Sequence, residues 1–263
     1  MDIMKIIKAR RSVRTFDGRE ISQQDKDKLC DYIKTIRNPF DIPVEFILLD
    51  AKEHGLSSPV IEGEHLYVTA KVPKVPHSEE AFGYSFEKMV LCAWSLGIGT
   101  TWIAATFKRP PFEKAVNLQD GEKMYCISPL GYPSEKMSDK EIKMRKSINA
   151  DNRQPATELF FDGDFNTPLT ETDEKIQAAL EAVRIAPSAT NKQPWRIVKV
   201  GNNFNFYVEH TKGYVNEKTG DVQKIDLGIA LCHFMSVIEG TCKNENPNLS
   251  AADNLEYIAT VTV

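Results

Sequence analysis

Apolar residues recur at helical spacing in Ile3, Met4, Ile6 and Ile7, with Lys5 and Lys8 opposite, which predicts a short amphipathic helix. Ser22 followed by Asp25 has the spacing of a capping box and predicts a helix to about residue 36. Asn38-Pro39 and Pro43 break that pattern, and the apolar run 44–49 predicts a strand. A loop rich in Gly, Ser and Pro leads to a second strand over 65–70. A loop holding Pro73, Pro76 and Gly83 precedes a strongly apolar helix over 85–96, closed by Gly97-Ile98-Gly99. A short helix over 111–118 follows, and then a strand over 124–129 that ends in Gly131-Tyr132-Pro133.

From about Asp151 the order starts again. Phe161-Asp162-Gly163 echoes Phe16-Asp17-Gly18, and Thr170-Glu171-Thr172-Asp173 repeats the capping box. A helix over 174–185, strands over 194–200 and 204–210, a helix over 227–239 and a strand over 257–263 follow in the same sequence, with spacings that agree within a few residues. Leu231-Cys232 stands where Leu91-Cys92 stood. Each half reads helix, helix, strand, strand, helix, strand, an α+β pattern with hairpin pairing rather than a βαβ succession. Two duplicated halves are expected, residues 1–150 and 151–263, packed as one unit.

The halves differ in complementary ways. The first carries Arg10-Arg11-Ser12-Val13-Arg14, whereas the second keeps only Arg153 there. The second carries the polar loop Pro187-Ser188-Ala189-Thr190-Asn191-Lys192-Gln193, whereas the first has only Asn38-Pro39-Phe40-Asp41-Ile42. If the halves pack as a dimer would, one composite site survives and its mirror image is dismantled.

Composition narrows the class. With 263 residues, 41% hydrophobic and 27% charged, the chain reads as an ordinary soluble globular protein. A net charge of −4 gives no reason to expect nucleic acid binding. The longest apolar run, near residues 89–98, is far short of a membrane span, and no apolar signal core follows the N-terminus. Five cysteines stand singly without a CxxC pair, which points to free thiols in a cytosolic protein. The five histidines show no ligand spacing, so no metal is expected.

Three guanidiniums and a hydroxyl within five residues suit a phosphate monoester, because arginine offers planar paired donors. Alone they read rather as a solvated cap on a helix C-terminus. The Pro187–Gln193 stretch offers hydroxyl and amide groups that both donate and accept, which suits the edge of a heterocycle, or simply a turn between a helix and a strand. Gly97-Ile98-Gly99 ends a helix, with no strand before it and no third glycine, so it is not a dinucleotide fingerprint.

Taken together, the chain resembles the nitroreductase family of FMN-dependent oxidoreductases. The resembling stretches are Arg10-Arg11-Ser12-Val13-Arg14-Thr15-Phe16, the run 86–103, Leu130-Gly131-Tyr132-Pro133 and the run 186–195. Family members are usually homodimers in which the arginine turn of one subunit and the Pro-Ser…Asn loop of the other hold one FMN. This chain resembles the subgroup in which duplication fuses that dimer into a pseudo-dimeric monomer. The resemblance implies that Arg10, Arg11, Ser12 and Arg14 bind phosphate, ribityl or the pyrimidine edge, and that Pro187, Ser188, Ala189 and Asn191 approach the ring. It puts backbone donors for flavin N5 at Ala104 and Ala105, where the family often has an acidic residue and a glycine. It assigns the basic cluster near the phosphate to Arg145 and Lys146, with Lys143 a further candidate.

The implied activity passes hydride from NAD(P)H through bound FMN to a small acceptor such as a nitroaromatic or quinone. No side chain is assigned a catalytic role, because the flavin carries the chemistry. The alternative is a flavin-binding protein without catalysis, for storage or sensing, and a further one is a scaffold that has lost the flavin. Phe40, Tyr84, Trp102 and Phe107 are candidates to line an open substrate face.

Overall fold

The protein is described here by a computed structural model covering residues 2–170 and 173–263. Helix α1 (Ile3–Ala9) is capped by Asp2, whose carboxylate accepts from Met4 N at 3.0 Å. Helix α2 (Gln23–Thr35) is capped by Ser22, which accepts from Asp25 N at 3.1 Å and donates to the Asp25 carboxylate at 2.8 Å. The second expected box is different. Glu171 and Thr172 lie outside the described residues, and the cap of the later helix is Asp173 itself.

The first sheet contains β1 (Glu45–Asp50), β2 (Leu66–Pro73), β3 (Glu122–Lys123) and β4 (Ile127–Leu130). β2 lies at its centre and pairs antiparallel with β1, β4 and, at its end, β3. Alternation along β2 supplies two cores: Val68, Ala70 and Val72 join the main one, while Tyr67 packs edge-on against Phe112 on the opposite side. The strand expected over 124–129 is interrupted between β3 and β4. Helix α3 (Ser78–Ser95) and helix α4 (Arg109–Ala115) complete the packing, and α4 carries proline in its first turn.

After α5 (Asp139–Ser147) and α6 (Ala156–Leu159), a second sheet is built from β5 (Phe160–Asp162), β6 (Trp195–Val200), β7 (Asn203–Glu209), β10 (Thr241–Lys243) and β11 (Leu255–Thr262). Its order is β10-β11-β7-β6-β5, antiparallel except for β5 against β6. Its β6-β7-β11 portion repeats the β1-β2-β4 order of the first sheet. A small hairpin, β8 (Val215–Asn216) with β9 (Gly220–Asp221), leads into α8 (Val222–Val237), and α7 (Glu174–Arg184) flanks it. Asp173 opens α7 by accepting from Lys175 N at 2.9 Å and Ile176 N at 3.0 Å.

Helices α3 and α8 cross at the centre, each buried along most of its length. Both begin earlier than the hydrophobic pattern suggests, at Ser78 and Val222 rather than Ser85 and Leu227. At α3 the reason lies in Gly83, which reads as a loop residue but serves the crossing together with Gly228. A Cβ on Gly83 would lie 2.1 Å from the Ile225 carbonyl oxygen, and one on Gly228 would lie 2.1 Å from that of Glu80. The contact is reciprocal, as in a two-fold interface. It sets Glu80 against Ile225 and Gly83 against Gly228, so Cys232 is the counterpart of Glu87, and the alignment of Leu91-Cys92 with Leu231-Cys232 does not hold. Among the described residues, no helix is long and apolar enough to cross a membrane.

Candidate functional site

The arginine turn is seated by its apolar members. After α1 the chain becomes extended at Arg10, whose backbone N–H still bonds Ile6 O at 2.9 Å. Val13 N then donates to Thr100 O at 2.8 Å, and the Val13 side chain is buried against Gly99, where a Cβ would come within 2.9 Å of it. Phe16 lies against Gly131 in the same way, with its ring 2.7 Å from where a Cβ would sit. Gly97-Ile98-Gly99 and Gly131-Tyr132-Pro133 therefore form the bed of the turn.

Helix α5 clamps the turn from outside. Glu141 is buried and accepts from Arg14 N at 3.1 Å and from Arg11 Nη1 at 3.2 Å. Thr15 Oγ1 donates to Ser138 Oγ at 3.0 Å and accepts from Ser138 N at 3.0 Å. Glu141 stands in the first turn of α5, and its carboxylate orients two of the arginines.

The facing wall is the loop after α7. Thr190, Asn191 and Gln193 all have left-handed backbone, with φ of 47°, 59° and 52°. For a β-branched threonine this conformation costs on the order of 1 kcal/mol or more and persists only where surroundings impose it. They do so here. Ala189 N donates to both oxygens of the buried Asp226 carboxylate at 3.0 and 3.1 Å, and Gln193 N donates to Ser188 Oγ at 2.8 Å. Asn191 Nδ2 donates to the carbonyls of Asn149 and Asn152 at 2.7 and 3.0 Å, and Gln154 N to Gln193 Oε1 at 2.9 Å. Burial pushes Asp226 well above the usual carboxylate range, partly offset by the Ala189 N–H.

Between these walls lies an open cleft. It gathers Arg10, Arg11, Ser12, Arg14 and Arg145 with Pro187, Ser188 and Asn191. Ala189 is not among its lining residues and contributes through the bond that anchors the loop. Lys146 and Lys143 are exposed and do not line it. Nor do Ala104, which packs on the main core, or Ala105, which is exposed; Arg109 Nη1 donates to the Ala104 carbonyl at 3.4 Å. Of the aromatic candidates, Phe40 stacks on His77 and Phe107 meets Phe112 edge-on. Trp102 packs on Phe86, Tyr84 lies under Lys88, and none of the four lines the cleft.

The structure adds Arg153, read from sequence only as a remnant. Its Nη1 donates to Asn191 Oδ1 at 3.2 Å and to nearby carbonyls, and it lines the same cleft as Arg10. The available signal was its place among turn-forming residues, just before Gln154-Pro155.

The electrostatics are lopsided. The Arg10 side chain is 6% exposed, and its Nε is buried with no hydrogen-bond partner; Glu87 Oε1 is 3.8 Å away. Arg153 Nε is likewise buried without a partner. Burial lowers Arg10, Arg14 and Arg153 below the usual arginine range. Glu87 opposes that shift at Arg10 and Glu141 at Arg14, while Arg145 adds to it at all three. Arg145 pairs with the exposed Asp151. Buried guanidinium donors without acceptors in the protein fit an anionic ligand.

Comparison with known proteins gives one family. The profile described as "Putative TM nitroreductase" matches residues 2–238. A solved protein described as a putative nitroreductase of Thermotoga maritima is 21% identical and superposes with a TM-score of 0.65, covering 100% of this chain and 94% of its own. A nitroreductase family protein of Clostridium difficile is 21% identical with a TM-score of 0.48, covering 60% of this chain and 96% of its own. No curated protein sequence matches the chain.

Proposed function

The chain belongs to the family described as putative TM nitroreductases, and from that premise we propose that it is an FMN-dependent oxidoreductase with one flavin site per chain. The observation that carries this reading is the buried, unpartnered Arg10 Nε at a cleft whose walls come from both ends of the sequence. Its donor set fits the cofactor. Arg10, Arg145, Arg153 and the Ser12 hydroxyl would hold a phosphate dianion, for which clustered guanidiniums are the preferred chemistry.

Bound FMN would supply hydride acceptance and release, so the chain needs no acid–base side chain of its own. The tasks left to the residues are binding and orientation. Arg14, fixed through its backbone to Glu141, would serve as a donor to the pyrimidine edge, where it would favour negative charge. Ser188 would offer its hydroxyl hydrogen, and Asn191, whose amide is bonded to Asn149, Asn152 and Arg153, would hold the loop in place beside the ring. The proposal extends to NAD(P)H as donor and a small nitroaromatic or quinone as acceptor. It also extends to a cytoplasmic monomer whose halves, 1–150 and 151–263, stand for the two subunits of a dimer.

The test is reconstitution with excess FMN, desalting, and a visible spectrum. The expected result is a flavin spectrum at one FMN per chain, bleached by NADH or NADPH and restored by an acceptor. Retained flavin that neither nucleotide reduces would favour the non-catalytic alternative. Protein that emerges colourless and oxidises no NAD(P)H would refute both.

A further inference from the structure

Behind Arg10, Glu87 of α3 and His233 of α8 meet with neither side chain exposed. His233 Nδ1 lies 2.8 Å from the Ala182 carbonyl oxygen, an atom that only accepts, so Nδ1 carries a proton. His233 Nε2 lies 3.0 Å from Glu87 Oε1. Two bare lone pairs at that distance repel, so a second proton lies between them. Glu87 Oε2 accepts the Trp102 indole N–H at 3.0 Å, and Arg10 Nε stands 3.8 Å from Oε1. Whichever of the two holds that proton, carboxylic acid beside imidazole or carboxylate beside imidazolium, the pair is neutral as a whole.

The other titratable neighbours leave that balance intact. Lys88 turns away, donating to Ser236 Oγ at 3.1 Å over the Tyr84 ring. Burial pushes the Cys232 thiol up to about 12, so it is uncharged at neutral pH. The arrangement is also one-sided. The exchange that carries Gly83 to Gly228 carries Glu87 to Cys232 and Lys88 to His233, so no second acid–imidazole pair exists across the crossing.

We infer that Glu87 and His233 are a positioning pair for Arg10: it holds the guanidinium in place yet, being neutral, leaves that buried positive charge for the phosphate group of the cofactor. This inference rests on the FMN reading above. Its physical content is competition. An ionised Glu87 without its histidine partner would claim Arg10 for itself, and the phosphate would lose part of its partner.

The test is fluorescence titration of the full-length protein with FMN and with riboflavin, which lacks the phosphate. It is run on the wild type, His233→Gln, Glu87→Gln and the double variant. His233→Gln is expected to weaken FMN by about tenfold or more while riboflavin changes by less than about twofold. The double variant removes the unbalanced carboxylate and is expected to recover most of that loss, while Glu87→Gln alone stays nearer to wild type than His233→Gln. A double variant no better than His233→Gln, or parallel losses for FMN and riboflavin, would overturn the inference. Nitrogen-15 NMR of His233 in the ligand-free wild type adds a readout independent of folding in the variants. A proton on Nδ1 is the expected result, and a ring protonated at Nε2 alone, which would leave the pair negative, overturns the charge assignment. Binding of neither FMN nor riboflavin by the wild type would instead sink the flavin reading, leaving the NMR result to decide the pair.

Discussion

The loops that follow α2 and α7 each join a helix to a strand, and they do opposite things. The first, around Asn38, closes on itself. Asn38 Nδ2 donates to Ile42 O at 2.7 Å and its Oδ1 accepts from Phe40 N at 3.1 Å. Nearby Arg37 spends its guanidinium on the carbonyls of Lys34 and Ile36. The second loop is fastened from outside, by Asp226 below and by the 149–154 segment beside it, in a backbone it would not adopt alone. Only the second faces buried arginines. A loop closed by its own hydrogen bonds turns inward, whereas a loop fastened by distant residues is fixed where it can wall a cleft.

The largest test breaks the frame that both loops share. Gly83→Ala or Gly228→Ala places a methyl group against a backbone carbonyl of the opposing helix, and each is expected to cost about 3 kcal/mol. Urea denaturation should show the two losses to be similar, because the contact is reciprocal; a harmless substitution at either position would contradict the crossing. Next comes the asymmetry itself. Arg10→Ala is expected to weaken FMN by about 30-fold, whereas Arg37→Ala beside the other loop should leave it unchanged, both read by flavin fluorescence.

A smaller effect tests how the second loop is held. Burial raises Asp226 in the folded state, so folding favours its protonated form. That contribution is complete below the unfolded value, near pH 4, and is lost as pH rises toward the raised folded value. Asp226→Asn keeps an oxygen for Ala189 N–H and removes the charge. The variant should lack this decline, and denaturation curves from pH 4.5 to 8 would show it; an unchanged slope would mean that Asp226 does not titrate there. The smallest expected effect is at Lys146, which is exposed and does not line the cleft, so Lys146→Ala should change FMN affinity by less than about twofold.

Much of this was legible in the chain. Ser22 and Asp25 announced α2, alternation announced the strand pairs, and Arg10–Arg14 with Pro187–Asn191 named the two walls of the cleft. What was misread has a common physical cause. Glycine in a helix costs stability unless something needs its missing Cβ, so Gly83 read as loop until α8 was seen to cross it. Arg153 read as a remnant because its partner Asn191 is 38 residues away. Lys146 and Arg145 are adjacent and basic, yet consecutive residues on a helix point in different directions, and only Arg145 faces the cleft.

The sequence by itself determined the elements, the recurrence of their order, and which stretches hold donors suited to a phosphate and a heterocycle. Those properties are local: periodicity, capping chemistry and side-chain type act over a few residues. Tertiary structure alone decided which arginine nitrogens are buried without a hydrogen bond, that Glu141 and Asp226 hold the two walls, and that Glu87 meets His233 behind the site. Each of these depends on bringing together residues more than 30 positions apart, with their burial and charge set by neighbours that the linear order does not reveal.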